Sequence, residues 1–458
     1  MYCLIFSLLF LLFQTHHDQR YQEVEGNWNG SIEVYDQELR ISILFTYTDN
    51  ELDGTLDIPQ QQAFNLPLEV IRAEGSEIVF KFETGTGPAT FYGIWNIEEQ
   101  SIAGEFEQVG ERFPFSINKV IRTGTGPDMI PETELTIPTS AGNISGNLIL
   151  AEENAPLIIL ISGSGSQDRN ETIAGFGVFR VLSARLYEEG FSTFRYDDRG
   201  IGGSEGEPDA TLEELAMDLT DVVDFLKLHH GDQFGEIIFL GHSQGGLVAS
   251  LAAQQSEPAA LVFMGVPFLR ADKIINSQIM KIAEFQGISE NILNTNLEFQ
   301  EEIYHVVRTG SSWEPIEENL KRRLNQQIDQ LPVSQREALG DMSAFVQSQI
   351  DRQLSAAKSR WFSSLIDHEP EEHLTAVDQP ILALFGEKDM QVLPGENIEV
   401  AERFNSSGSD IEIVRIADAN HLFQSANTGM PNEYGMLDQS FADDFISTIT
   451  EWLKRLSE

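Results

Sequence analysis

Cysteine and long apolar runs are both scarce in this 458-residue sequence. Cys3 is the only cysteine and lies at the extreme start, so the mature chain is expected to have neither a disulfide nor thiol chemistry. The one unbroken apolar stretch, within MYCLIFSLLFLLFQTHHDQ, is shorter than the roughly 20 residues that a bilayer-spanning helix needs. The sequence therefore predicts no stable membrane span.

Basic residues are also few. Lys and Arg number 29 against 73 Asp and Glu, which gives a formal net charge of −44, and only 9 of the basic residues are lysine. So acidic a surface repels nucleic acid phosphates and anionic membranes, which excludes both as expected partners. The composition is typical of a salt-adapted enzyme and equally of an acidic secreted protein with no salt requirement. An apolar content of 41% and a charged content of 22% exclude wholesale disorder.

The apolar stretch at the start fits the hydrophobic region of a secretion signal. We therefore predict a signal segment at residues 1–20 and export to the periplasm or the cell exterior. Two features point the other way, because no Lys or Arg precedes the stretch and no small-x-small cleavage site follows it. An uncleaved segment or a misassigned start is the alternative.

Short segments of alternating hydrophobicity follow between Gly26 and Val120, with no helical period among them. They are typical of strands: GSIEVY, LRISILFTY, ELDGTLDI, LPLEVIRAEG, SEIVFKFET, ATFYGIWNI, SIAGEFEQ and RFPFSINKV. This many strands in so short a stretch predict a small antiparallel barrel or sandwich over residues 22–120. The Gly and Pro residues of RTGTGPDMIPE then indicate a linker at residues 121–132.

Strand and helix patterns alternate over residues 133–458. The apolar runs APLIILISGSG, FSTFRYDDRG, EIIFLGHSQGG and AALVFMGVPF suit strands buried on both faces, and helical patterns separate them. The alternation predicts an α/β domain with a mostly parallel sheet flanked by helices. It stops after Phe268 and resumes at QPILALFGEKD. The intervening stretch, about residues 270–377, is too long for a loop and predicts a helical cap over the carboxyl edge of the sheet.

The pattern Gly-x-Ser-x-Gly occurs twice, at residues 241–245 and 202–206. The first follows a buried-strand pattern and leads into a helix with small residues, which is the context of a strained turn that exposes a serine nucleophile. The second follows DDRGI and leads into acidic EPDATLEE, so its glycines serve loop geometry. The sequence therefore predicts Ser243, and not Ser204, as a nucleophile. An inactive turn of the same shape is the alternative.

A serine nucleophile needs a base and an acid, which follow it along the chain in this kind of sheet. His421 lies in ADANHLFQ, after the last predicted strand IEIVRIAD, where the base is required. The acid is expected at the end of an earlier strand, and ILALFGEKDMQV offers Glu387 and Asp389. We favour Asp389, which lies past the turn, and keep Glu387 as the alternative. A carboxylate there would orient the imidazole and stabilise its charged form.

Two backbone donors are expected to bind the developing oxyanion. One is the N–H of Gln244, directly after the nucleophile, and the other lies in SGSGSQDRN, with Ser164 favoured and Gly165 next. A Gly-rich phosphate loop is the competing interpretation, but SGSGSQDRN lacks the Lys-Ser/Thr ending. Trp361 and Phe362, in SRWFSSLI, are candidates for lining an acyl pocket. Packing of the cap against the sheet explains these two aromatics equally well.

Five motifs carry a resemblance to a known family: GSGSQDRN, RYDDRGIGGS, GHSQGG, GEKDMQV and NHLFQSANTGMPNEYG. From about residue 133 onwards the chain resembles an α/β-hydrolase-fold serine hydrolase of the bacterial esterase branch, grouped with serine aminopeptidase-type hydrolases. The resemblance implies a Ser243–Asp389–His421 triad, a helical cap and ester hydrolysis through an acyl-enzyme, without cofactor or metal. It also implies that RYDDRGIGGS is a structural loop. The first domain resembles the lipocalin-like β-domains that precede the hydrolase domain in some members.

The favoured function is a carboxylesterase whose partner is a small-molecule ester with a small to medium acyl group. An aminopeptidase of the same fold would need carboxylates that hold a free amino terminus, and the acidic stretch DHEPEEH leaves that alternative open. A third candidate is a non-catalytic protein whose barrel binds a lipid or glycan, although all three candidate triad positions are retained.

Overall fold

The computed structural model describes residues 24–35, 37–48, 51–58, 61, 63–84, 87–119, 130–330, 336 and 341–456. The predicted signal segment at residues 1–20 and most of the predicted linker at residues 121–132 lie outside the described residues. The chain divides into two compact units, Met1–Thr123 and Gly124–Glu458. Within the described ranges, no helix combines the length and the apolarity that a bilayer span requires.

The first unit is a closed antiparallel barrel in which each strand pairs with the next and the last pairs with the first. Its strands are β1 (Gly26–Val34), β2 (Gln37–Thr48), β3 (Glu51–Ile58), β4 (Ala63–Glu74), β5 (Glu77–Thr84), β6 (Gly87–Asn96), β7 (Ser101–Gln108) and β8 (Glu111–Lys119). On β6, buried and exposed residues alternate, because successive side chains of a strand point to opposite faces. Of the two predicted architectures, the strands of this unit form a closed barrel and not a sandwich.

Aromatic side chains fill the inside of the barrel. Phe80 and Phe91 stack with ring centroids 4.6 Å apart, and Phe115 meets Phe91 edge-on at 5.0 Å. Trp28 is fully buried and donates its indole N–H to the carbonyl oxygen of Val24 at 2.8 Å. These rings form a packed core that stabilises the barrel by burying apolar surface. The likeness to lipocalin-like domains stays a prediction.

The second unit is built on an eight-stranded sheet. Its strands are β9 (Thr133–Thr139), β10 (Gly142–Ile149), β11 (Leu157–Ile161), β14 (Ser192–Tyr196), β15 (Ile237–His242), β16 (Ala260–Met264), β17 (Ile381–Gly386) and β18 (Ile411–Ile416), while β12 (Thr172–Ile173) and β13 (Phe176–Gly177) pair separately. The order across the sheet is β18-β17-β16-β15-β11-β14-β10-β9. All neighbours are parallel except the β9–β10 and β10–β14 pairs. The predicted mostly parallel sheet is therefore confirmed.

The hairpin of β9 and β10 has no counterpart among the predicted strands. On β9 only one residue, Ile137, is fully buried, and the rest are exposed or half-buried. Such an edge strand lacks the continuous apolar run that marks β11 or β15, where every residue is buried. Strand β10 lies between β9 and β14 and is mostly buried, but its Gly, Asn and Ser residues interrupt the apolar run, so it too has a weak sequence signal.

Helices cover both faces of the sheet. They are α1 (Val178–Glu188), α2 (Leu212–His230), α3 (Gln244–Ser256), α10 (Pro394–Ser406) and α11 (Phe445–Leu456). The apolar sides of α2, α3 and α10 share one hydrophobic core with the sheet, and those of α1 and α11 share the core on the opposite face. The start of α2 is fixed by a capping box between Thr211 and Glu214.

The described part of the stretch between β16 and β17 is mostly helical. The helices are α4 (Ala271–Gln286), α5 (Glu290–Thr309), α6 (Glu314–Asp329), α7 (Met342–Leu354), α8 (Arg360–Asp367) and α9 (Pro370–Leu374). Helices α5, α6 and α7 bury a small hydrophobic cluster of their own, which includes Ile303, Leu320 and Ile350. This helical insertion, named the cap, follows the carboxyl end of β16, and the chain returns to the sheet at β17.

Candidate active site

Ser243 occupies a strained turn between β15 and α3. Its backbone has φ 51° and ψ −121°, a left-handed conformation that is unfavourable for a residue with a Cβ atom. The turn is held by two backbone hydrogen bonds, in which the N–H of Ser243 donates to Met264 O at 2.8 Å and the N–H of Gly246 donates to Ser243 O at 3.1 Å. A strand that enters a helix through such a turn presents its serine at the edge of the sheet.

Two glycines make this turn possible. A Cβ atom on Gly245 would lie 2.1 Å from Ile161 O, and one on Gly241 would lie 2.4 Å from the N atom of Gly246. Both distances are far below van der Waals contact with backbone, so no side chain fits at either position. The glycine spacing that the sequence shows is therefore a packing requirement of this turn.

Asp389 and His421 meet beyond the carboxyl ends of β17 and β18. The Nδ1 atom of His421 lies 2.7 Å from Oδ2 of Asp389, and the two residues are 3% and 2% exposed. The other carboxylate oxygen of Asp389 accepts hydrogen bonds from the N–H groups of Gln391 at 2.7 Å and Val392 at 2.9 Å. Three hydrogen bonds thus hold this carboxylate, and through it the imidazole, in one orientation.

Glu387, the alternative acid, lies elsewhere. Its side chain is exposed, and its Oε2 accepts a hydrogen bond from the N–H of Asp418 at 3.3 Å. Of the two carboxylates in GEKD, the structure pairs Asp389 and not Glu387 with His421.

The turn of Ser243 and the His421–Asp389 pair meet near Gly265, since the N–H of Ser243 donates to the carbonyl oxygen of Met264, the residue before Gly265. A Cβ atom built on Gly265 would lie 3.2 Å from Cε1 and Nδ1 of His421 and 3.5 Å from Oδ2 of Asp389. The ring of His242, the residue before Ser243, lies 4.8 Å from the ring of His421 between centroids. The three residues that the sequence singles out therefore lie together at the carboxyl edge of the sheet.

A cavity of about 230 Å³ opens beside Ser243. Ser164, Ser243 and Gln244 line it, so the two favoured oxyanion donors border the same space as the candidate nucleophile. Gly165, the second choice, has φ 94° and is not among the described residues that line this cavity. Three larger surface clefts, of about 400, 470 and 610 Å³, contain none of the three candidate triad residues.

The cavity combines apolar and neutral polar side chains and is uncharged. Its apolar lining includes Leu247, Leu269, Ile274, Leu365 and Val392. Among the described residues that line it there is no Asp, Glu, Lys or Arg. The one titratable imidazole in the lining belongs to His368, and burial lowers the pKa of His368 to about 4, with His373 contributing. That ring is therefore neutral near pH 7.

Trp361 and Phe362 belong to α8 and both line the cavity. The indole N–H of Trp361 donates to Oε1 of Gln244 at 2.6 Å, which links the cap to the residue after Ser243. The first turn of α8 is anchored on the sheet side, because the carboxylate of Asp209 accepts the backbone N–H groups of Arg360 at 3.0 Å and Trp361 at 2.9 Å. These aromatic residues border the cavity as well as packing the cap.

Ser204 lies in a loop next to the β10 strand. Its buried hydroxyl donates to Asp197 O at 2.8 Å and accepts from the N–H of Ser145 at 2.9 Å. Both hydrogen-bonding capacities of the hydroxyl serve to tie the loop to the sheet. GGSEG therefore has a structural explanation that needs no chemistry.

Two carboxylates that are not among the predicted site residues, half-buried Asp198 and fully buried Glu171, support the Ser162–Gln167 loop. Asp198 accepts hydrogen bonds from Oγ of Ser162 at 2.7 Å and from the N–H of Gln167 at 2.9 Å, and its burial raises the pKa of Asp198 to about 7. Glu171 accepts a hydrogen bond from the N–H of Gly163 at 2.7 Å. Asp198 lies just after the apolar strand β14, a position shared by many loop residues, whereas Glu171 lies well beyond β11 and has no such signal.

Comparisons with known proteins agree with this architecture. The family model described as serine aminopeptidase, S33 matches residues 174–424, which is more than half of the chain. Esterase EstD of Thermotoga maritima is 22% identical over 362 residues, which span 78% of this chain and 74% of the esterase. Bifunctional epoxide hydrolase 2 of Mus musculus is 26% identical over 254 residues, which span 53% of this chain and 41% of that protein.

Among solved structures, an esterase of Pyrococcus furiosus has a TM-score of 0.45 and 18% identity, with 74% of this chain and 96% of that chain covered. The region that the family model matches contains the turn of Ser243, the helical insertion between β16 and β17, and both loops that carry Asp389 and His421. The barrel Gly26–Lys119 precedes the matched region. Because the family model matches more than half of the chain, the chain belongs to the serine aminopeptidase, S33 family of α/β-hydrolase-fold proteins.

Proposed function

We propose that this protein is a carboxylesterase with Ser243 as the nucleophile, His421 as the general base and Asp389 as the acid that orients His421. The observation that carries the proposal is the buried His421–Asp389 pair, 2.7 Å apart, beside the strained turn of Ser243 and an uncharged cavity. Such a constellation activates a hydroxyl that is otherwise a weak nucleophile.

The reaction runs in two halves. Ser243 Oγ attacks the acyl carbonyl while Nε2 of His421 takes its proton, and the imidazolium then protonates the leaving alcohol. In the second half, His421 takes a proton from water as the water attacks the acyl-enzyme. The carboxylic acid is then released and Ser243 recovers its proton from His421. The backbone N–H of Gln244, at the start of α3, and that of Ser164 are the proposed donors to the oxyanion, with Gly165 as the alternative to Ser164.

The cavity favours an esterase over an aminopeptidase. A free amino terminus is a cation, and binding it away from water requires a carboxylate partner. The described lining of the cavity supplies no such group, and its volume of about 230 Å³ suits a small to medium neutral acyl group. Its relative from Thermotoga maritima is likewise named an esterase. A role confined to lipid or glycan capture has little support, since aromatic rings pack the barrel core.

A substrate panel tests the proposal. We expect the protein to hydrolyse p-nitrophenyl esters of short to medium acyl chains with a kcat/KM at least about 100-fold above that for leucyl p-nitroanilide, because the latter would leave an ammonium group unpaired. Initial rates at matched concentrations, read from p-nitrophenol and p-nitroaniline release, give the ratio. Comparable turnover of the aminoacyl arylamide would favour the aminopeptidase instead.

Trp361→Phe isolates the hydrogen bond between the cap and Gln244. The variant keeps an aromatic ring in the cavity wall but removes the N–H that Gln244 Oε1 accepts. We expect kcat for p-nitrophenyl butyrate to fall by about 2-fold to 10-fold, which corresponds to the net worth of one hydrogen bond, because the oxyanion donor on Gln244 is less firmly held. Phe362→Leu is the control: it alters the apolar lining alone and is expected to change mainly KM. Equal kcat losses in both variants would contradict this role for the indole.

A further inference from the structure

His242 directly precedes Ser243 and takes no part in the proposed acyl transfer. It is 2% exposed, it does not line the cavity, and its ring packs 4.8 Å from the ring of His421 between centroids. A polar side chain buried at this point of the fold needs hydrogen-bond partners. Its partners are Glu171, which supports the Ser162–Gln167 loop, and the backbone of His421.

His242 and Glu171 together connect three segments. Nδ1 of His242 lies 2.7 Å from Oε1 of Glu171, and Nε2 of His242 lies 3.1 Å from the carbonyl oxygen of His421. The same Oε1 atom accepts the N–H of Gly163, next to Ser164, at 2.7 Å. His242 belongs to the turn of Ser243. The buried His242–Glu171 pair therefore connects this turn to the loop of the proposed second oxyanion donor and to the backbone of the proposed base.

The partners also define the protons on His242. A carbonyl oxygen only accepts hydrogen bonds, so Nε2 must carry a proton, and Nδ1 faces a carboxylate. Burial alone would lower the pKa of His242, but the charge and the hydrogen bond of Glu171 outweigh it and hold the pKa above its ordinary value. Both nitrogens thus face hydrogen-bond acceptors, and the neighbouring carboxylate of Glu171 favours the doubly protonated form of the ring.

Stability alone is a poor reason for this pair. Glu171 is fully buried, and its second oxygen, Oε2, has no hydrogen-bond partner. A buried ion pair with an unsatisfied oxygen generally stabilises a fold less than apolar residues of the same volume would. What the pair provides is geometry, since its three hydrogen bonds fix the relative positions of separate loops.

We propose that Glu171 and His242 are positioning residues that hold the oxyanion loop and the base loop in place around Ser243. The inference rests on the proposed esterase function. Acyl transfer requires reacting groups within a few tenths of an ångström of their productive positions, and a misplacement of about 1 Å can cost about 100-fold in rate. A single ion pair that bonds to all three segments is well suited to limit such misplacement.

Glu171→Gln in the full-length protein tests the proposal. The amide oxygen can still accept the N–H of Gly163, but without the carboxylate charge His242 becomes neutral and has one N–H in place of two. One of its two hydrogen bonds is then lost. We expect kcat for p-nitrophenyl butyrate to fall by about 10-fold to 100-fold while KM stays within about 2-fold. His242→Gln, which keeps an N–H able to reach His421 O, should lose less kcat than His242→Ala.

Asp218→Asn is the matched control. Asp218 is also a buried carboxylate with one oxygen bonded to a cation, Arg199 at 2.6 Å, and one oxygen without a partner. We expect this variant to lose thermal stability with kcat within about 2-fold of the parent protein. Titration of Ser243 with a reactive phosphonate counts the folded active sites in every preparation, so that kcat is expressed per competent site.

The outcomes separate the two proposals. Unchanged kcat in Glu171→Gln, an equal kcat loss in Asp218→Asn, or a loss that vanishes when rates are expressed per titrated site would each overturn the positioning role. Failure of both the Glu171 and the His242 variants to fold would make the pair a folding requirement and would overturn it too. Full activity of Ser243→Ala, in contrast, would remove the esterase proposal itself.

Discussion

Ser243→Ala should abolish ester hydrolysis, with kcat for p-nitrophenyl butyrate lower by about 10⁴-fold to 10⁶-fold. The substitution removes the atom that forms the acyl-enzyme, and neither His421 nor the oxyanion donors can replace it. The strained backbone at Ser243, φ 51°, is set by the turn and not by the hydroxyl, so the variant should fold normally. Burst-phase measurements should show loss of the initial p-nitrophenol burst together with the loss of steady-state turnover.

Ser204→Ala is the control, because Ser204 occupies the second match to the same sequence pattern. Its hydroxyl makes two structural hydrogen bonds, with Asp197 O and the N–H of Ser145. Their loss should lower the free energy of unfolding by about 1–3 kcal/mol, while kcat per folded molecule stays within about 2-fold. Parent-level activity in Ser243→Ala, or inactivity of a well-folded Ser204→Ala protein, would contradict the assignment of the nucleophile.

Most of the fold follows from local patterns in the sequence. Strands β11 and β15 are continuous apolar runs because helices bury both their faces, and the barrel strands alternate because one face points inward. The turn of Ser243 is recognisable in the sequence by its glycines. Gly241 and Gly245 contact backbone atoms that leave no room for a side chain. The hairpin of β9 and β10 escaped prediction because β9 is a largely exposed edge strand, and β10 has Gly, Ser and Asn among its apolar residues.

The contacts that complete the site are not local. Glu171 meets His242 across 71 residues of sequence, and Trp361 meets Gln244 across 117. No spacing rule connects such residues, because their distance depends on how the cap and loops pack on the sheet. His421 was predictable only because chain order in this fold requires a base after the last strand. The order of the strands, in contrast, says nothing about which residues line the cavity.

Asp389→Asn should lower kcat by about 10⁴-fold, whereas Glu387→Gln should change it by no more than about 2-fold. The carboxylate of Asp389 bonds to Nδ1 of His421 at 2.7 Å, which keeps the proton on Nδ1 and leaves Nε2 free to accept the proton of Ser243. An asparagine can present its NH₂ group to Nδ1, and the imidazole then carries its proton on Nε2, where it cannot act as a base. Steady-state kinetics of both variants, with circular dichroism to verify folding, measure the difference.

Two backbone hydrogen bonds to residue 389 should keep the loop folded in Asp389→Asn. The loss of kcat then reports the tautomer of His421 and not unfolding of the loop. Oδ1 accepts the N–H groups of Gln391 and Val392, and an asparagine that keeps its oxygen on those donors must turn its NH₂ group toward His421. The loop therefore selects the inactive arrangement, and KM should change little because Asp389 does not line the cavity. A larger loss in Glu387→Gln than in Asp389→Asn would transfer the role of the acid to Glu387. Activity close to that of the parent protein in both variants would mean that His421 needs no carboxylate partner.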